Sequence, residues 1–206
     1  SASRAGHVMI RVAHRRNRVD ELQATPPELG VEVDIRSQGE RLVIHHDPFA
    51  DGEDFDAWLA HYRHRLLILN VKEEGLESAL LERMARRGIE EFFFLDQSFP
   101  FLVKTARAGE RRCAVRVSEF ESVETALSLA GQIRWVWVDC FTRFPLGAEE
   151  AARLADAGLE LCLVSPELQG RDAQAEVPSL RRRLSDEGIA VAAVCTKRPD
   201  LWADAD

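Results

Sequence analysis

Four clusters of residues able to do chemistry fall between Val12 and Lys72, each closing or following a short apolar run: His14-Arg15, Glu32-Val33-Asp34, His46-Asp47 and Asn70-Val71-Lys72. In an extended strand alternate side chains face the same way, so Glu32 and Asp34 aim together, roughly 7 Å apart along the chain. Two carboxylates so placed repel unless a cation lies between them, and hard divalent ions such as Mg²⁺ or Ca²⁺ prefer oxygen ligands of this kind. The alternative is a solvated strand face, or ion pairs to Arg36 or Lys72. His14 and His46 close different strands. Imidazole titrates near neutrality, so a pair flanking a phosphoryl group can serve as base and acid. Either histidine alone reads as a hydrogen-bonded structural residue; their joint occurrence beside Glu-x-Asp points to catalysis. Arg15 and Lys72 offer positive charge to a phosphate oxygen, Arg15 in bidentate fashion. The alternative for both is an ion pair with Glu32, Asp34 or Asp47. His45 reads as packing or surface.

The elements that must position these groups alternate along the chain. Strands are expected over 7–14, 31–36, 65–72, 91–97, 113–118, 135–141, 159–165 and 190–196, with an extra hairpin strand at 41–46. Helices are expected over 54–63, 76–87, 99–108, 122–130, 147–157 and 178–187, several stopping at a glycine. Pro26-Pro27 leaves room for only a turn or two of helix around Val19–Gln23. The segment 166–177 reads as a polar loop and 199–206 as a frayed polar tail. Strand–helix alternation with short links argues for a parallel sheet, and eight such units favour closure. The expectation is therefore an α/β fold, a (β/α)8 TIM barrel with a reduced or missing first helix and an extra hairpin strand after the second strand, spanning 1–206 as one domain. In such a barrel the strand ends and the loops after them carry the site. Further polar groups at those ends include Asn17, Asp96, Arg116, Glu119, Asp139, Ser165, Glu167, Thr196 and Lys197.

Bulk properties narrow the partners. The chain has 206 residues, 46% hydrophobic and 30% charged, which suits a globular protein with a real core. A net charge of −8 argues against a general nucleic-acid binder. No apolar run approaches the roughly 18 residues of a transmembrane helix. The four cysteines, Cys113, Cys140, Cys162 and Cys195, lie in or beside expected strands with no Cys-x-x-Cys pair. They read as core thiols in a reducing compartment, which points to a cytoplasmic protein. The Trp135-Val136-Trp137 pair reads as packing.

In this order the four clusters resemble the glycerophosphodiester phosphodiesterase family, within the wider phosphatidylinositol-phospholipase-C-like barrels. The family pattern is His-Arg after the first strand, Glu-x-Asp on the second, His-Asp after a hairpin strand and Glu-x-Lys on the third. The match covers about the first third of the chain. The resemblance implies a metal-dependent phosphodiesterase acting on a glycerol-, sugar- or nucleotide-type small-molecule phosphodiester. It implies that Glu32 and Asp34 bind a divalent metal, Mg²⁺ or Ca²⁺, that His14 and His46 are the acid–base pair, and that Arg15 and Lys72 contact the phosphate. The sequence departs from the pattern in three places. Arg16 stands where a glycine is usual, and the Glu-Asn-Thr segment and long first helix are missing, with Asn17 a remnant. The third-strand carboxylate is Asn70, whose amide oxygen can still ligate a metal but brings no charge, so that Glu119 or Asp139 would have to supply the missing one. Two alternatives follow: a non-catalytic barrel that binds a phosphorylated ligand, and a phospholyase releasing a cyclic phosphate.

Overall fold

The computed structural model describes residues 8–204. The strands are β1 (Ile10–Ala13), β2 (Gly30–Gln38), β3 (Arg41–Ile44), β4 (Glu53–Asp54), β5 (Leu67–Val71), β6 (Phe92–Leu95), β7 (Ala114–Val117), β8 (Trp135–Val138), β9 (Glu160–Val164) and β10 (Ala193–Thr196). The helices are α1 (Val19–Ala24), α2 (Phe55–Leu59), α3 (Glu77–Arg87), α4 (Phe99–Arg107), α5 (Val123–Ser128), α6 (Ala148–Asp156) and α7 (Ala173–Asp186). The fold is α/β. Eight strands pair in parallel in the order β6-β5-β2-β1-β10-β9-β8-β7. The sheet curls until its two end strands meet: Phe94 of β6 bridges Cys113, and the Phe94 N–H donates to the Arg112 carbonyl at 2.9 Å. β3 lies antiparallel on β2, and β4 antiparallel on β3.

Alternation along each strand builds two cores. Odd residues of β2 and β5, such as Val31, Val33, Leu67 and Leu69, pack outward with Leu80, Met84, Leu102 and Leu154 of the helices. The opposite faces form a second cluster with no α-helical member: Val12, Ile68, Phe93, Trp135, Cys162, Val164 and Cys195 among them. This is the inside of the curl. Phe93 and Trp135 stack there, ring centroids 4.8 Å apart. The four cysteines are free and buried. Above the apolar layer the same inward faces turn polar: Ile68 gives way to Asn70, Ala114 to Arg116 and Trp137 to Asp139. A parallel sheet puts all those polar steps at one end, because its strands run the same way.

Four expectations from the sequence need correction. The first strand begins at Ile10 rather than residue 7, and residue 7 itself, with its histidine, lies outside the described residues. The helix expected over 54–63 stops at Leu59, after five residues. The segment 166–177 is not a loop: it holds a 3₁₀ turn at Pro166–Gln169, and α7 starts at Ala173. Asp172 caps α7 by accepting from the Gln174 N–H at 3.0 Å, so Pro178 falls inside the helix rather than at its start. The tail is not frayed over the described residues. A 3₁₀ turn at Pro199–Trp202 buries Trp202, whose indole N–H donates to Ser165 Oγ at 2.9 Å. One large apolar ring is enough to anchor an otherwise polar segment. Among the described residues no helix is long and apolar enough to cross a membrane.

Gly30 opens β2 on the inward face, where a Cβ would stand 2.9 Å from both the Leu66 carbonyl oxygen and Val12 Cγ2. Gly30→Ala should therefore cost about 1–3 kcal/mol, the usual range for overpacking, read as a lowered midpoint in urea unfolding.

Candidate active site

The polar end of the curl is built around Asp34, which is 1% exposed. Its partners come from two links, the one after β1 and the one after β5. Asn17, just before α1, is reciprocal: its Nδ2 donates to Asp34 Oδ2 at 2.9 Å, and its Oδ1 accepts from the Asp34 backbone N–H at 3.1 Å. Lys72, following β5, places Nζ 3.4 Å from Asp34 Oδ1. Arg15 places Nε 3.9 Å from Oδ2. Arg15 sits in the left-handed region at φ 50°, a conformation costly for a non-glycine residue. Its backbone N–H donates to Glu32 Oε1 at 3.3 Å, and the Arg16 N–H donates to the Glu32 carbonyl at 2.8 Å. The turn after β1 is thus folded down onto β2.

His14, the residue after β1, is held through its backbone N–H to the Thr196 carbonyl at 3.0 Å, with Nε2 3.9 Å from Glu32 Oε2. Burial first, then the positive charges of Arg15 and Lys197, push its imidazole down to about 4. It is neutral at physiological pH. Glu32 is buried as well. Burial, then the Asp34 charge beside it, pushes its carboxyl up, to about 8, against the opposing pull of Lys72 and Arg15. Asn70 is the register partner of Asp34 across β2 and β5 and is 5% exposed.

His45 and His46 follow β3 in a turn rather than extending the strand. Arg36 fixes that turn: its Nε donates to the His45 carbonyl at 3.0 Å and its Nη2 to the His46 carbonyl at 2.7 Å. His46 Nδ1 lies 2.9 Å from Asp47 Oδ1, a contact that holds the Asp47 carboxyl below its ordinary range. The His45 ring faces the Asp47 backbone, Nδ1 accepting from its N–H at 2.9 Å.

The rim beyond Lys72 is a belt of alternating charge. Lys72 Nζ is 3.9 Å from Asp96 Oδ2; Asp96 pairs with Arg116, and Arg116 with Asp139. The structure thus gathers Glu32, Asp34, Asn70, Lys72, His14 and Arg15 about one carboxylate pair, with His46 on the adjoining turn.

Solved structures share this architecture. A glycerophosphodiester phosphodiesterase from Agrobacterium tumefaciens str. C58 matches with a TM-score of 0.67 at 16% identity, over 95% of this chain and 99% of that one. A glycerophosphoryl diester phosphodiesterase from Parabacteroides distasonis ATCC 8503 matches with a TM-score of 0.64 at 12% identity, over 95% of this chain and 85% of that one. The fold is that of glycerophosphodiester phosphodiesterases. No family model matches the sequence, and no curated protein does.

Two buried oxygens here have the chemistry of hard-cation ligands: Asn70 Oδ1 has no hydrogen-bond donor, and Asp34 Oδ1 is met only by the charge of Lys72 at 3.4 Å. Glu32 adds a second buried carboxylate nearby. Among the described residues no three His, Cys, Asp or Glu side chains converge as a ligand cluster. The two carboxylates considered as replacements for a third-strand acid are engaged elsewhere. Asp139 accepts from the Cys140 N–H and Gln169 Nε2, each at 2.8 Å, and pairs with Arg116. Glu119 accepts from the N–H groups of Phe141, Thr142 and Arg143 at 2.8–3.0 Å, stapling the loop after β8. Partial burial pushes the Glu119 carboxyl up, but the hydrogen bonds from Thr142 and Arg143 outweigh it and hold it down to about 2.

Asn17, which the sequence offered only as a strand-end polar group and a remnant of the missing segment, reaches Asp34 through the turn at Arg15. Three outcomes check this geometry. If Asp34 and Asn70 share a cation, Asn70→Asp should raise Mg²⁺ or Ca²⁺ affinity at least about tenfold by adding a charge, measured by calorimetry. The Glu119 staple should survive acid until pH falls through about 2, because a depressed carboxyl stays ionised down to its folded pKa. Glu119→Gln should speed amide exchange at 141–143 at neutral pH.

Proposed function

We propose that the chain is a phosphoric diester hydrolase of the glycerophosphodiester phosphodiesterase type, a single (β/α)8 barrel domain with a short first helix and an added hairpin after its second strand. Its substrate is a small phosphodiester of the glycerol, sugar or nucleotide kind. Its four buried free thiols suit a reducing compartment such as the cytoplasm. The observation that carries the reading is the meeting of His14, Glu32, Asp34, Asn70 and Lys72, from three different strands, at one end of the sheet. The shared fold supports it.

Glu32, Asp34 and Asn70 would hold Mg²⁺ or Ca²⁺, which supplies Lewis-acid polarisation of a phosphoryl oxygen. Lys72 and Arg15 neutralise the phosphate and orient it. His14, neutral at physiological pH, takes the proton from the attacking oxygen, a water or a neighbouring substrate hydroxyl. The new P–O bond forms as the bond to the leaving oxygen breaks. His46, backed by the Asp47 carboxylate, gives that oxygen its proton. Attack by water yields a phosphomonoester and an alcohol; attack by a neighbouring hydroxyl yields a cyclic phosphate.

One contact favours a second reading. Lys72 Nζ stands beside Asp34 Oδ1, and Asn70 contributes no charge, so an ammonium group lies where a cation would bind. A barrel arranged that way could hold a phosphorylated ligand without turning it over. Turnover of a panel of phosphodiesters with Mg²⁺ or Ca²⁺, followed by phosphorus NMR, separates the readings. His14→Ala and His46→Ala should each lower kcat by at least about 100-fold, the usual worth of acid–base catalysis. Full activity in both variants defeats the mechanism, and ligand binding without turnover across the panel supports the binder. A cyclic product in the spectrum identifies the lyase.

A further inference from the structure

Lysine is scarce in this chain: it supplies three of the 27 lysines and arginines, Lys72, Lys104 and Lys197. Two of the three follow strands at the polar end, Lys72 after β5 and Lys197 after β10. Strand order sets β2 and β1 between β5 and β10, and with them Glu32, Asp34, His14 and Arg15. Those groups thus stand between two ammonium groups, one on each flanking strand. Lys72 is paired with Asp34. Lys197 plays no part in that pairing.

Lys197 is exposed, yet the backbone beneath it is held more firmly than a solvated lysine requires. Its N–H donates to Glu167 Oε1 at 2.9 Å, and the hydroxyls of Thr196 and Ser165, both fully buried, donate to the same carboxylate. The Arg198 N–H donates to Thr196 Oγ1 at 2.8 Å, and Arg11 Nη1 to the Pro199 carbonyl at 3.0 Å. Register sets the direction. Val12 and Cys195 are partners on the inner face, and Ala13 pairs with Thr196. By alternation the next positions, His14 and Lys197, leave the sheet side by side on that inner face. The bond from the His14 N–H to the Thr196 carbonyl, 3.0 Å, keeps the two links together.

Among the described residues no carboxylate lies within 4.0 Å of the Lys197 ammonium, whereas Lys72 has two. Glu167 is engaged by its three donors. Burial first, then Arg15 and then Lys197, push the His14 imidazole down, so the fields of the two cations meet at His14. Like charges aimed at one point repel unless an anion joins them. We infer that Lys197 is a third phosphate contact, an ammonium that meets an oxygen of the diester from the β10 side while Lys72 meets it from the β5 side. The inference rests on the phosphodiesterase reading above and adds a binding residue to that site. An ammonium is a compact charge with three donors on a flexible stem, suited to follow phosphoryl oxygens as one P–O bond forms and the other breaks.

The test uses dimethyl phosphate, the smallest diester, titrated by phosphorus NMR at low ionic strength, and glycerophosphocholine for turnover. Lys197→Met, Lys197→Arg and Lys104→Met are compared with the unaltered protein. Lys104 lies over the Phe101 ring on α4, and its loss changes the net charge by the same amount. Lys197→Met should weaken dimethyl phosphate about fivefold, the worth of a well-formed charge pair open to solvent. Lys197→Arg should recover most of that loss, and Lys104→Met should change affinity less than about twofold, since a distant charge is screened. An unchanged affinity in Lys197→Met, a loss that Lys197→Arg does not recover, an equal loss in Lys104→Met, or no saturable binding to the unaltered protein overturns the inference. If affinity depends on Lys197 but glycerophosphocholine is not turned over, the phosphodiesterase reading falls for that substrate and the anion contact stands.

Discussion

A carboxylate that is almost wholly buried dictates the arrangement of this molecule's polar end. Asp34 is shut away from bulk solvent, so its charge must be met by the protein. Removing one partner from a buried ion pair costs about 3–5 kcal/mol. Lys72, Arg15 and Asn17 all converge on it, and each is brought there by a different device: a strand end, a left-handed turn and a reciprocal amide. Asp34 Oδ1 is met only by the Lys72 charge, and Asn70 Oδ1 on the neighbouring strand has no hydrogen-bond donor. Structural need and capacity for a ligand thus reside in the same atoms.

The placement of chemistry follows from strand direction. The inward faces of β2, β5, β7 and β8 run from small or apolar to polar residues, and parallel strands bring those steps to one rim. On that rim signs alternate from Asp34 through Lys72, Asp96 and Arg116 to Asp139. Each group is held between opposites, which fixes long side chains that would otherwise sample many rotamers. The neutral Asn70 fits this balance: a third carboxylate there would stand beside Asp34 and call for a further positive charge.

Much of the architecture was legible in the chain. Strand alternation placed Glu32 and Asp34 on one face, and glycine stops located most helix ends. What sequence could not supply were contacts decided by three-dimensional closure. Trp202 looked like part of a polar tail because its anchor, Ser165, lies 37 residues away. Pro178 looked like a helix start because a proline is at home there, yet the cap at Asp172 took precedence. Glu119 and Asp139 looked available as ligands, since spacing cannot tell that backbone N–H groups and Arg116 already satisfy them. Asn17 was visible as a strand-end amide, but its two hydrogen bonds to Asp34 depend on the turn at Arg15 that brings it against β2.

The weak bridge between β6 and β7 falls close to the midpoint of the chain. It divides the parallel strands into two sets of four, β1, β2, β5 and β6 on one side and β7 to β10 on the other, each contiguous in hydrogen bonding. The proposed acid–base pair and cation ligands all belong to the first set, while the second supplies the facing wall with Arg116, Asp139, Glu167 and Lys197. The break coincides with the turn at Gly109, which makes this a natural place to sever the polypeptide into complementing fragments.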